Sequence, residues 1–90
     1  MNKTDIVYIV NRVQTSASEY NQNGYTQSFL FREKAKAEKC LKELRSEEMT
    51  ELTRLGRSYD IYADSDDRFH VAWDSDLEMV FVTLKEKAIE

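Results

Sequence analysis

Five aspartates fall within thirteen residues, Asp64, Asp66, Asp67, Asp74 and Asp76, and carboxylates so crowded could hold a divalent cation or dock onto a basic surface. The spacing opens like a calcium loop, Asp-x-Asp. It has no central glycine, however, and Ser75 stands at the twelfth position, where the loop needs a bidentate glutamate. The segment Arg68 to Trp73 between the two acidic groups reads as a strand, which sets them at its opposite ends, roughly 20 Å apart at 3.3 Å per residue. They cannot share an ion. Asp and Ser are ordinary turn formers, so the cluster is expected to be two solvated hairpin tips, with no metal and a role in partner binding.

His70 is the only histidine and Cys40 the only cysteine. No second histidine, serine or cysteine stands in a recognisable signature with His70, so the sequence supplies neither a triad nor a zinc site. Cys40 can form no intramolecular disulfide and falls among apolar positions, which makes it a packing residue. Two glycines, neither in a phosphate-binding arrangement, leave nothing to cradle a nucleotide. No catalytic or cofactor-binding residues are therefore assigned, and enzymatic activity is not expected. The remaining chemistry is cationic. Lys34, Lys36, Lys39, Lys42 and Arg45 recur at helical spacing and could meet phosphates.

The element that carries these cations is the stretch Arg32 to Arg45, REKAKAEKCLKELR. At 100° per residue, Ala37, Cys40, Leu41 and Leu44 share an arc of about 100°, a core-facing stripe, with the cations opposite. Glu48 returns to the apolar arc. The pattern therefore predicts a break near Ser46 and a second short helix with Met49, Leu52 and Leu55 inward, closed by Gly56.

Strands account for the rest. Residues 5 to 13, β-branched and aromatic on both faces, read as a central strand. A polar connection with an Asn23-Gly24 turn signal leads to a second strand from Tyr25 to Phe31. Beyond Gly56, period-two alternation returns around Tyr59, Ile61 and Ala63, then Phe69, Val71 and Trp73, then Leu77 to Leu84. Phe29, Phe31, Phe69, Trp73 and Phe81 are assigned to the core, and Tyr8, Tyr59 and Tyr62 to the sheet's second face. The fold class is α+β: a two-layer arrangement, β-β-α-β-β-β, of a four- to five-stranded antiparallel sheet with one main helix on one face.

Ninety residues, 41% apolar, 11% aromatic and 33% charged, suit one globular domain spanning 1–90. No run approaches a membrane span. The first ten residues lack the regions of a signal peptide, so the chain reads as cytoplasmic. The net charge of −4 conceals an asymmetry: residues 32–45 carry six basic and three acidic side chains, residues 46–80 three basic and ten acidic. Such polarity steers charged partners. One helix covers one sheet face, yet the first and last strands are apolar on both, and a two-fold homodimer is the closed solution. The leading expectation is a small protein-binding module acting by surface complementarity, an inhibitor or adaptor of a nucleic-acid-handling complex. In it, Asp64, Asp66, Asp67, Asp74 and Asp76 meet a basic protein surface. The alternative is nucleic-acid binding through the basic helix face.

Overall fold

The structure, a computed structural model, describes residues 5–16 and 25–89. Its elements run β1 (Asp5–Ser16), β2 (Tyr25–Phe31), α1 (Lys34–Arg54), β3 (Tyr59–Asp64), β4 (Arg68–Trp73) and β5 (Glu78–Ile89). The five strands form one antiparallel sheet in the order β2-β1-β5-β4-β3. This is the expected α+β architecture, with β1 central as its two-sided apolar pattern requires. The Asn23-Gly24 signal lies outside the described residues.

The two longest strands, β1 and β5, pair over their whole length, from Asp5↔Ile89 to Ser16↔Glu78. Both outrun the sequence expectation. Lys85, Glu86 and Lys87 look unlike a strand, but β1 supplies a full hydrogen-bonding partner there, and tertiary pairing overrides local propensity. Helix α1 connects the two opposite edges, β2 and β3, and lies across one face. Val10, Phe69, Val71, Val80 and Val82 meet Ala37, Leu41, Leu44 and Leu52 beneath it, all essentially excluded from solvent. Burying aliphatic and aromatic side chains of this size stabilises the fold by about 1.5–3 kcal/mol each.

The helix is continuous from Lys34 to Arg54, with no break at Ser46. The expected interruption fails because Glu48 finds a partner that the helix pattern alone does not reveal. Arg12, on the helix-facing side of β1, sets its Nη1 3.5 Å from Glu48 Oε1 and 3.0 Å from Glu47 Oε2. Gly56 does terminate the helix. At φ 66° it is left-handed, Gly56 N–H donates to Thr53 O and Arg57 N–H to Leu52 O, a Schellman closure.

A β-bulge in β3 changes which residues share a face. Ile61 pairs with Val71 and Ala63 with His70, so the extra residue Tyr62 shifts the alternation. Asp64 thereby turns to the helix side and Ala63 away from it, contrary to strict alternation with Tyr59 and Ile61. Three further assignments change. Phe81 lies on the face away from α1, against His70, whereas Tyr8 and Tyr59 share the helix side with their register partners Phe31 and Trp73.

Candidate functional site

A groove of about 630 Å³ runs between α1 and the edge strand β2. Its floor is Phe29, Phe31, Cys40 and Leu44, and its rim is charged. A link of only two residues, Arg32 and Glu33, joins β2 to α1, so the helix doubles back along the strand. Lys36 and Lys39 thus stand toward the Phe31 end, Glu43 and Glu47 toward the Gln27 end. Arg12 closes the acidic end, its guanidinium 5.6 Å from the Tyr25 ring centroid. Burial, with Glu43 and Glu47 adding to it, pushes the Cys40 thiol above its usual range, so the group is mostly protonated near neutrality. The outer edge of β2 pairs with no strand among the described residues, which leaves a row of backbone donors and acceptors beside the groove.

The acidic cluster is divided, as its sequence spacing implies, but its members are not equivalent. Asp64 is taken up by Arg45 in a bidentate pair, Nε to Oδ1 at 2.9 Å and Nη2 to Oδ2 at 2.8 Å. That guanidinium also sits 5.4 Å from the Phe69 ring centroid. Its hydrogen bonds hold the Asp64 carboxyl below the usual range. Asp67 accepts a hydrogen bond from the Ser65 hydroxyl, and Asp76 from the Tyr62 hydroxyl. Asp66 and Asp74 are exposed and make no side-chain hydrogen bond or ion pair among the described residues. No three His, Cys, Asp or Glu side chains among the described residues are placed to hold a metal ion.

On the basic face, Lys36 stands 3.7 Å from Glu33 and Lys39 3.9 Å from Glu43, long and solvent-screened pairs. Arg45 is committed to Asp64, and Lys34 and Lys42 have no acidic partner among the described residues. The cations therefore do not act as one stripe: two flank the β2 groove and one clamps the β3 end.

Among the described residues, the sheet's other face carries no helix. Across it, His70 stacks on Phe81 at 3.9 Å between ring centroids and meets Tyr62 at 5.2 Å. Burial pushes the imidazole below its usual pKa, against the opposing pull of Asp76, and its Nε2 is buried without a protein partner. His70 lies opposite Phe69 and Val71, as alternation along β4 requires. Sequence reasoning missed the aromatic row, because the bulge that aims Tyr62 at His70 leaves no mark in the alternation.

The class defined by these features is a two-layer α+β protein with one covered and one open sheet face. Compared with family models, curated proteins and solved structures, the chain matches none.

Proposed function

We propose that this protein is a protein-binding module acting by surface complementarity, with the α1–β2 groove and the β2 edge as its recognition element for an extended peptide segment. One juxtaposition carries this reading: an unpaired strand edge directly beside an aromatic-floored groove. A segment added along β2 pairs its backbone with that edge and directs every second side chain toward Phe29, Phe31 and Leu44. The rim favours an acidic residue near Lys36 and Lys39 and a basic one near Glu43 and Glu47.

Selection of linear peptides from a random display library tests this directly. Enriched sequences are expected to alternate apolar and polar residues, to protect Cys40 from alkylation, and to lose binding once Cys40 carries a bulky maleimide. Peptides indifferent to that label, or no enrichment at all, would refute the groove.

A second reading keeps the acidic hairpins as the docking surface for a basic protein partner, such as a component of a nucleic-acid-handling complex that the module would inhibit or adapt. The exposed, unpaired Asp66 and Asp74 support it. Its test is a basic probe, polylysine. Binding that is unchanged by replacing Asp66, Asp67 and Asp74 with asparagine removes it. Nucleic-acid binding through α1 has less support, since Lys36, Lys39 and Arg45 each already face a carboxylate.

A further inference from the structure

The open face of the sheet displays Val7, Ile9 and Leu30 on one side and Val13, Met79 and Phe81 on the other, with Leu30 69% exposed. Between the apolar rows runs a polar row in which the Ser28 hydroxyl donates to Asn11 Oδ1 at 2.7 Å. That hydroxyl can be covered without being stranded.

Charge on this face is segregated by end. Register places Lys85 opposite Ile9 and Lys87 opposite Val7, toward one end. Asp60, opposite Ala72, and Asp76, held by Tyr62, lie toward the other. A two-fold axis in the plane of the interface and perpendicular to the strands exchanges the ends. It lays the cations of each copy over the carboxylates of the other. Repeating the face without that exchange would oppose like charges.

We propose that the occupant of this face is a second copy of the chain, packed sheet to sheet about that axis. Because β4 pairs only with the Glu78–Thr83 half of β5 and β3 lies beyond β4, a copy related by that axis covers part of the face, and the interface is a small one. At 3.3 Å per residue and 4.8 Å between strands, the face measures about 700 Å². A standard interface buries about 800 Å² per partner. Inner faces of aligned sheets pack about 10 Å apart, within reach of Lys85 and Lys87 toward Asp76, while Asp60, two strands from β5, adds to the negative end. The α1–β2 groove lies on the opposite face, so dimerisation leaves it open.

The experiment is sedimentation equilibrium over a range of protein concentrations, on the wild type and on surface variants whose folding is checked by circular dichroism. The wild type is expected to dimerise, and Leu30→Lys to weaken the dimer by roughly tenfold or more. The decisive arm is charge reversal. Lys85→Glu with Lys87→Glu, and separately Asp60→Lys with Asp76→Asn, are each expected to be monomeric alone. Mixed one to one, they are expected to form a heterodimer, because one crossed set is the wild-type pairing and the other opposes the introduced glutamates to the introduced lysine, leaving no like-charge contact. A wild type that stays monomeric at high concentration, a dimer untouched by these changes, or a mixture that fails to associate would each overturn the proposal.

Discussion

Arg12→Met removes the cation that lets Glu48 lie in the apolar arc of α1. Both side chains are only 13% exposed, and burial pushes the Glu48 carboxyl above its usual range despite the guanidinium beside it. Breaking a fully buried pair by removing one partner costs about 3–5 kcal/mol. Residual solvent at this site, and a contact of 3.5 Å rather than a tight bidentate one, bring the expected loss to about 2 kcal/mol. For a domain of this size that lowers Tm by about 10 °C. The partner-free carboxylate is the source of the cost, so the loss should shrink as pH falls through the raised folded pKa of Glu48, where the carboxyl takes up a proton. Replacing both residues, Arg12→Met with Glu48→Met, should recover most of the stability, with a coupling energy of about 1–2 kcal/mol in the double-mutant cycle. Glu47→Gln, at an exposed carboxylate on the same guanidinium, should cost less than about 0.5 kcal/mol. Thermal melts by circular dichroism at pH 4 and pH 7 supply each number. An Arg12→Met loss independent of pH, or additive single-mutant effects, would refute the account of why α1 does not break.

Gly56→Ala should cost about 1 kcal/mol in denaturant titration, since an added Cβ meets nothing within 4 Å and only the left-handed φ of 66° is penalised. Asp64→Asn should cost under about 1 kcal/mol at pH 7, because solvent screens this half-exposed pair. Asp64's folded pKa is depressed, so that contribution is present above the unfolded value and disappears as pH falls through the folded one. The mutant and wild-type stability curves should therefore converge in acid. For His70 the folded pKa is lowered and the unfolded chain binds the proton more readily. Stability is thus expected to fall as pH drops from the unfolded value toward the folded one. His70→Gln should flatten that slope in chemical denaturation at a series of pH values. Cys40 should react with iodoacetamide more slowly than a free thiol at pH 8, as its raised pKa and half-buried position require.

Periodicity was enough to read α1 up to Arg45, the β2 boundaries, the β4 boundaries and the glycine stop at Gly56, since each leaves a local mark. What stayed hidden depends on partners distant in sequence. The continuity of α1 past Ser46 rests on Arg12, more than thirty residues upstream. The reach of β5 to Ile89 rests on β1. A single bulged residue reversed the faces of Ala63 and Asp64, and with Asp64 went one member of the acidic surface, drawn to Arg45. The α1–β2 groove was illegible for a related reason: its floor residues look like ordinary core until the helix is seen to stop short of the edge strand. The two-sided apolar pattern of residues 5 to 13 did mark a second apolar face, that of Val7, Ile9 and Val13, which carries no helix among the described residues.

The pairing of β1 with β5 joins segments more than sixty residues apart at the centre of the sheet. Neither edge hairpin holds a complete core, because Val10 comes from one strand and Val80 and Val82 from the other. A chain growing on the ribosome therefore carries β1 with its inner neighbour missing until β5 has emerged, and folding should be slow for its length and close to all-or-none. During that interval the flank of β1 that β5 later covers is exposed to other chains. Overproduction in a cell should therefore be limited by aggregation of nascent chains rather than by instability of the finished protein.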